Sequence, residues 1–276
     1  MSPARQPAFP FSRGYQWMAQ GIGLLREQAL RLLLMGLILQ LLAGATQYGP
    51  FGILFVLAVP ALSAGMLQAV HLAHRGSNPA ALTLFAPFTD PGRLLTLFVL
   101  GLLLLAITIL AVAWALTGAI QQLDPAVLER LQSGDPGSLA KLDPAVVERA
   151  VIGLAAGVLV GSCLAYFSIP LVWFHRLGIG RAIFDGLAGL FRQWRAFLVL
   201  SLLLGLVSLP VAFLAGYALT SVAVGGKPSL LVSLLTLVGM VGFQVLVFTT
   251  QYFAFIDVFP ILRKRRREES KSQLVA

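Results

Sequence analysis

Three histidines are among the few side chains in this sequence with an obvious capacity for chemistry. His71 and His74 are three positions apart, so a helix would place them on one face. Imidazole is a ligand for Zn, Cu and Ni. No cysteine or carboxylate is placed in the sequence to complete such a site with them. We therefore predict no metal and no other cofactor, and we interpret both residues and His175 as interfacial side chains.

One acid, Asp257, lies three residues before Pro260, near the end of the last long apolar run. An acid close to a membrane is costly and is by default a functional hypothesis. Two interpretations stay open: proton or cation coupling, or an interfacial ion pair with the basic residues that follow. Polar neighbours on the same run either line a pathway or bond to other helices, and we favour the second. The candidate pathway consists of Gln244, Thr250, Gln251 and Asp257.

Two further patterns concern contacts rather than reactions. Small residues recur every four positions, a spacing typical of close helix packing within a chain or between two copies, at Gly153, Gly157 and Gly161. A basic run directly follows the last apolar stretch, and we expect contact with anionic lipids from Arg263, Lys264, Arg265, Arg266 and Arg267. Because this run adjoins the bilayer, we predict no nucleic-acid partner. The sequence has no Gly-rich phosphate loop, His-Glu-x-x-His motif or Ser/His/Asp set, so we predict no enzymatic activity.

The composition places these residues in a membrane protein. Of 276 residues, 20 are Lys or Arg, 11 are Asp or Glu, and 58% are hydrophobic. The charged share of 11% is less than half the roughly 25% of a soluble domain. The mean hydropathy is +0.87. A soluble globular enzyme and a disordered chain are both excluded, which leaves a multi-pass membrane protein.

Six apolar runs are long enough to cross a bilayer core of about 30 Å as helices. Their approximate limits are Ala29–Thr46, Phe51–Val70, Leu94–Ala119, Ala150–Phe174, Ala196–Leu219 and Leu230–Phe259. Sixteen of the 20 Lys and Arg residues lie on one side of the predicted spans, in the segments there or, for Arg31, at the adjoining end of a span. Positive residues stay on the cytoplasmic side, so we predict that both termini are cytoplasmic.

The six runs form three similar units, each a short amphipathic segment followed by a transmembrane hairpin. The units span about residues 11–76, 77–178 and 179–265. The predicted fold class is therefore all-α: a polytopic membrane bundle of six helices in three repeats. The predicted limits are 1–265 for a single membrane domain, 120–149 for its outside loop and 266–276 for a basic and polar cytoplasmic tail.

Two segments of this pattern allow more detailed expectations. In the third unit, i, i+3, i+4, i+7 spacing marks one apolar face of a helix, formed by Phe184, Leu187, Ala188 and Phe191. Such a helix either lies in the headgroup layer or packs on protein. The outside loop repeats Leu123–Arg130 as Leu142–Arg149. Each copy begins Leu-Asp-Pro, and both should start helices, because aspartate is a strong N-cap and proline fits the first helical position.

Several segments of the sequence carry a family resemblance. They are Gly23–Gln28 and Gly189–Trp194 before the first and fifth spans, the stretch Pro60–Gly65, and the proline-then-basic ends of the second span in each unit. In these features the chain resembles an uncharacterised group of six-span bacterial inner-membrane proteins. It is also similar to the membrane domain attached to some glycerophosphodiester phosphodiesterases. The resemblance implies a bacterial inner-membrane location, but the phosphodiesterase domain is missing, so that activity is not implied.

Two functions from different classes follow from these observations. The first is a non-enzymatic membrane protein that organises or assists partners through helix and surface contacts. Its partners would be the bilayer, anionic lipids at the cytoplasmic face, and a membrane protein or a second copy. The alternative is a transporter or channel for a small or lipidic substrate. A water-filled cavity lined by Gln244, Thr250 and Asp257 would favour transport, and a tightly packed apolar centre would favour the first function.

Overall fold

A computed structural model describes residues 8–45, 51–117, 143–223 and 229–259. Over these ranges the chain forms eight α-helices, one 3-10 helix and no strand. In chain order they are α1 Ser12–Glu27, α2 Ala29–Ala45, α3 Phe51–His74, the 3-10 helix Ala81–Thr89, α4 Pro91–Ala115, α5 Pro144–His175, α6 Ile179–Arg192, α7 Trp194–Ala223 and α8 Leu230–Val258. The prediction of an all-helical fold is confirmed for the described part of the chain.

Five of these helices, α3, α4, α5, α7 and α8, are long and apolar enough to cross a membrane. The first predicted span, Ala29–Thr46, corresponds to a shorter apolar helix, Ala29–Gly44. At about 1.5 Å per residue, the 17 residues of α2 reach about 25 Å, slightly less than the roughly 30 Å of a bilayer core. The chain is therefore a multi-pass membrane protein with five long apolar helices and one shorter one among its described residues.

The start of α5 shows how local sequence sets a helix boundary. The Asp143 side chain accepts a hydrogen bond from the Ala145 backbone amide at 2.9 Å, and Pro144 follows at the first helical position. Aspartate satisfies a free amide there, while proline has no amide to satisfy. The predicted helix start at the second loop copy is confirmed, and the first copy at Leu123–Arg130 lies outside the described residues.

Three helices, α3, α5 and α8, contact one another pairwise and form the centre of the bundle. Each central helix has an outer neighbour. Helix α2 packs on α3 and α8, α4 packs on α3 and α5, and α7 packs on α8. A glycine allows α4 to approach the backbone of α3 closely, since a Cβ at Gly101 would lie 2.6 Å from the Leu57 carbonyl oxygen.

The short helices join neighbouring hairpins at one end of the bundle. The 3-10 helix packs on α3 and α4, α6 packs on α5, and α1 reaches the last hairpin, α7 and α8. Gly14 has no room for a Cβ because the backbone of Ala196 and Leu200 in α7 lies against it. The stripe that α1 buries has the spacing expected of an amphipathic helix and consists of Gly14, Trp17, Met18, Gly21 and Leu24. The first helix thus closes the bundle against the last two.

The buried core is concentrated at this same end, which we call the basic end because it carries Arg13, Arg93 and Arg176. In α3 every buried residue lies between Pro60 and Ala73. In α7, no described residue after Leu200 is buried. In the other half of the described bundle α4 and α5 still pack closely, but few large apolar side chains are buried, and the exposed apolar surface suits lipid or another membrane helix.

Candidate functional site

Polar side chains join the helices at the basic end, and Asp257 of α8 is the first of them. Its Oδ2 lies 2.6 Å from Arg13 Nη2 and accepts a hydrogen bond from Arg13 Nε at 2.7 Å. Trp17 Nε1 donates to the same oxygen at 2.6 Å, and the Trp17 side chain is fully buried. Both partners belong to α1. The acid therefore anchors α1 to α8.

The histidines of α3 both contact Tyr252 of α8. His71 Nδ1 and the Tyr252 hydroxyl lie 2.8 Å apart, within hydrogen-bond distance. The His74 ring lies edge-on to Tyr252, with 5.7 Å between centroids. His175 of α5 contacts Phe255 instead. Within the described ranges, no three His, Cys, Asp or Glu side chains are grouped so that they could hold a metal ion. The pair on α3 joins two central helices.

Two glutamines complete the bonds among the central helices. Trp173 Nε1 of α5 donates to Gln68 Oε1 of α3 at 3.1 Å. Gln251 Nε2 of α8 donates to the Tyr166 backbone carbonyl of α5 at 2.5 Å. Together with the His71–Tyr252 contact, one side-chain bond joins each pair among α3, α5 and α8, and we call this set the central triangle. Such interhelix bonds average about 0.6 kcal/mol in membranes, so the triangle chiefly fixes geometry.

Thr250, another residue of the candidate pathway, serves helix packing. Its Oγ1 donates to the Val247 carbonyl of its own helix at 2.9 Å, and the residue is fully buried. It faces α1, where a Cβ at Gly21 would lie 2.9 Å from the Thr250 methyl group. Thr250, Gln251 and Asp257 thus take part in contacts within or between helices.

Gln244, the fourth candidate, is in a different environment. Its Oε1 is buried and has no hydrogen-bond partner. The hydroxyl of Tyr166 on α5 is likewise buried and unpartnered. An amide or phenol left unbonded in an apolar interior costs about 1–3 kcal/mol. These two atoms are therefore places where the described part of the bundle would accept a polar group.

The glycine strip of α5 lies against α4. A Cβ at Gly153 would lie 2.7 Å from Ala115 Cβ, and one at Gly157 would lie 2.8 Å from Thr108 Cα. At Gly161 the nearest atom would be 3.8 Å away, which is ordinary van der Waals contact. Two of the three glycines thus allow close approach within the chain, and the third has space.

An open groove of about 330 Å³ lies between α2, α7 and α8, away from the central triangle. Its lining residues are Gln40, Ser208, Val211, Ala212, Ala215, Met240 and Phe243. Ser208 lies about 21 Å along α7 from Trp194, which is deep in the apolar part of the helix. Gln40 Nε2 makes a long contact of 3.6 Å to Met240 Sδ, a weak acceptor. We call this feature the α7 groove.

Several residues of the site were not singled out from the sequence. Trp17 belongs to a stripe of helical spacing with Gly14, Met18 and Gly21, and Arg13 lies one turn before it, but no local signal indicates that their partner is on the last apolar run. Gln68 lies on an apolar run with no pattern around it. The predicted lipid-contact residues Arg263, Lys264, Arg265, Arg266 and Arg267 lie outside the described residues.

No family model, curated protein or solved structure matches this chain. The function is therefore inferred from the geometry of its own residues.

Proposed function

We propose that this chain is a non-enzymatic protein of the bacterial inner membrane that organises membrane partners through helix and surface contacts. The observation that carries the proposal is the α7 groove, which opens sideways from the bundle between three apolar helices. An exposed apolar face alone would not support it, because lipid tails cover such a face as well as a protein does. The shape and polarity of this groove are what favour a partner helix.

Small residues form the α7 wall of the groove. Ser208, Ala212 and Ala215 lie one turn apart along α7, and small residues at that spacing let two helix backbones approach closely. Gln40 stands on the opposite wall, and its Oε1 has no hydrogen-bond partner among the described residues. An amide facing hydrocarbon is costly, so a polar group on a partner helix would stabilise it. A transmembrane helix with small and polar residues on one face fits both walls.

We extend the proposal to the architecture: six spans, with α2 as the first, in three units. The packing of the short segments supports this, since α1 lies on α8, the 3-10 helix on α3, and α6 on α5. Each short segment thus contacts the second helix of a hairpin, and α1 closes the ring. The bias of basic residues supports an inner-membrane protein with cytoplasmic termini. The sequence resemblance to six-span bacterial inner-membrane proteins is part of the same proposal.

The test of partner docking is site-specific photocrosslinking in native membranes. A photoreactive residue at Ala212, inside the groove, should form one protein adduct of constant mass, whose size shows whether the partner is a second copy. A photoreactive residue at Phe213, which is 76% exposed and outside the groove, should form lipid adducts. Gln40→Leu should weaken the protein adduct at position 212. Equal adduct patterns at the two positions would contradict the proposal.

A transporter or channel is the second candidate, and the buried unpartnered atoms of Gln244 and Tyr166 favour it. Water in a pathway would satisfy both. The other candidate pathway residues are used in helix contacts, which is why we prefer partner docking. Water access can be measured in a Cys163→Ser background, where a charged thiol reagent should modify a Gln244→Cys variant only if a water-filled path reaches it. We expect no modification.

The stability of two glutamine variants gives an independent comparison. Gln244→Leu removes a buried acceptor without a partner, so we expect the free energy of unfolding in detergent to rise by about 1 kcal/mol. Gln251→Leu breaks the bond to the Tyr166 carbonyl, and we expect a decrease of about 0.5–1.5 kcal/mol. A decrease in both variants would indicate that Gln244 has a partner such as ordered water, which the transport function requires.

A further inference from the structure

We propose that the basic end carries a binding site for a phosphate group, in a cavity between the start of α4 and the end of α5. The cavity has a volume of about 280 Å³, and its lining residues include two arginines, Arg93 and Arg176. Its other polar lining comes from Asp90, Thr96 and the backbone of Gly92 and Gly178. This volume lies below the range of drug-sized pockets and suits a small anion. The site does not depend on the docking of a partner in the α7 groove.

Arg93 is held rigidly at the wall of the cavity. Its Nε lies 3.0 Å from Asp90 Oδ2, and its Nη1 donates to the Trp173 carbonyl at 3.1 Å. The guanidinium carbon lies 4.7 Å from the centroid of the Trp173 ring, in a cation–π contact. Three contacts fix the plane of the group, and Nη2 has no partner among the described residues. A fixed fork with a free donor is the arrangement that arginine uses to bind phosphate.

Asp90 pairs with Arg93 and offsets its charge, so the two arginines and this acid leave one net positive charge at the cavity. Oδ1 accepts from the Arg93 backbone amide at 3.3 Å, and Oδ2 pairs with the Arg93 side chain. The Thr96 hydroxyl donates to the Gly92 carbonyl at 3.0 Å and is not free. The Arg93 backbone amide at the start of α4 is thus capped by Asp90. The anion would be held by guanidinium groups rather than by the helix terminus. Arg176 supplies the charge that no described acid balances.

The backbone of Arg176 is unusual. It ends α5 with φ of 55°, in the left-handed region, and within the described residues it is the single residue other than glycine with positive φ. Glycine is the usual residue at this position of a helix terminus. An arginine there takes up a disfavoured conformation that glycine, which has no Cβ, would adopt more easily. Strain of this kind is common at ligand sites, and here it is consistent with a role for the side chain.

The surroundings favour a lipid headgroup as the source of the phosphate. Exposed aromatic rings flank the cavity along the chain, with Phe88 just before α4 and Phe184 in α6, which follows α5. Aromatic side chains mark the level of the headgroups at the membrane surface. A free phosphate ion is the other source with the same chemistry. The experiment therefore has one arm for each source.

The test uses the full chain in nanodiscs of phosphatidylcholine. In the first arm, phosphatidylglycerol is titrated and bound lipid is counted by native mass spectrometry. In the second arm, inorganic phosphate is added to protein in nanodiscs without phosphatidylglycerol, and the thermal midpoint is measured. Three variants are compared with the natural sequence: Arg176→Gly, Arg176→Gln and the control Arg181→Gln. Arg181 lies nearby on α6, does not line the cavity, and has a side chain that is 70% exposed.

Arg176→Gly removes the guanidinium while it suits the left-handed backbone, so loss of folding would not explain its result. We expect both Arg176 variants to bind phosphatidylglycerol about fivefold more weakly than the Arg181→Gln control, which is the effect of one basic group at an anionic surface. A thermal shift with inorganic phosphate that requires Arg176 would identify free phosphate as the source. Equal binding by the Arg176 and Arg181 variants in both arms would overturn the proposal, as would normal binding by Arg176→Gly.

Discussion

Asp257 connects α8 to α1, and its charge is the part of that connection that can be tested. Asp257→Asn keeps an oxygen for Trp17 Nε1 but removes the ion pair with Arg13. Both side chains are largely shielded, with exposures of 22% for Asp257 and 32% for Arg13. We expect the free energy of unfolding in detergent to fall by about 1–2 kcal/mol.

A matched control for that substitution exists in α6. Asp185 pairs with Arg181 at 3.5 Å, and this arginine is largely exposed. Asp185→Asn removes the same charge from a surface pair, so we expect a change below about 0.5 kcal/mol. Chemical unfolding of both variants measures the two effects side by side. If they were equal, the Asp257 pair would have no special role in holding α1.

At the residue scale, the sequence indicates which side chains are unusual but not what they contact. An acid near the end of an apolar run is visible without a structure, and the cost of burying it implies a partner. The nearest basic residues in sequence begin at Arg263, whereas the observed partner, Arg13, is 244 positions away. Ion pairs act through space, so distance along the chain does not rank the candidates. The central triangle is unpredictable for the same reason.

At the scale of a helix, the α4–α5 contact depends on small residues at particular positions. Gly157→Ala would place a Cβ 2.8 Å from Thr108 Cα, and a backbone atom cannot move aside as a side chain can. We expect stability in detergent to fall by about 1–3 kcal/mol. A bulkier Gly157→Leu should lower the thermal midpoint further.

Gly161→Ala is the control on the same strip, because the nearest atom to its Cβ would be 3.8 Å away. Alanine favours helix over glycine by about 1 kcal/mol, so we expect no loss and a slight gain. The two alanine variants differ only in the space around one methyl group. Similar stability for both would show that α4 does not approach α5 as closely as described.

Helix α6 shows that an apolar face read from the sequence need not be the face that packs on the bundle. The apolar spacing of Phe184, Leu187, Ala188 and Phe191 predicted either a face in the headgroup layer or a face packed on protein. In the structure Leu187 is partly exposed and the other three are exposed, and α6 contacts the bundle through small buried residues, Ala182, Gly186 and Gly189. Small residues contribute little to a hydrophobic pattern, yet they allow the closest approach, so sequence periodicity does not identify the packed face.

At the scale of the whole molecule, composition predicted a helical membrane protein because few other folds can hold so much apolar surface. Span number was harder, since Ala29–Gly44 is close to the minimum length and its ability to cross depends on what surrounds it. Helix α2 packs on both α3 and α8, contacts that the sequence does not reveal. The contact of α1 with α8 was equally hidden, because it joins segments that are far apart in the sequence.

The basic run after α8 should interact with anionic lipid. Five adjacent charges from Arg263 to Arg267 each contribute on the order of 1 kcal/mol near an anionic surface, and the acids Glu268 and Glu269 offset part of this. Replacement of all five by Gln should increase the mobility of a spin label at residue 272 in anionic nanodiscs but not in neutral ones. Equal changes in both lipids would show that the run does not act through charge.

Sidedness decides whether α2 crosses the bilayer. With six spans, reporters fused at residue 1 and at residue 276 should both be cytoplasmic, and a reporter inserted in the loop near residue 135 should lie outside. With five spans, the reporter at residue 1 would move to the outside, while the other two would be unchanged. The basic residues Arg5, Arg13 and Arg26 precede α2 and oppose that outcome, because positive residues resist transfer across the membrane. Helix α1 gives a second reason: its ion pair with Asp257 places α1 at the same end of the bundle as the end of α8. An outside location of residue 1 would therefore require the Arg13–Asp257 contact to be absent as well. A cytoplasmic reporter at residue 1 should thus go together with a loss of stability in Asp257→Asn.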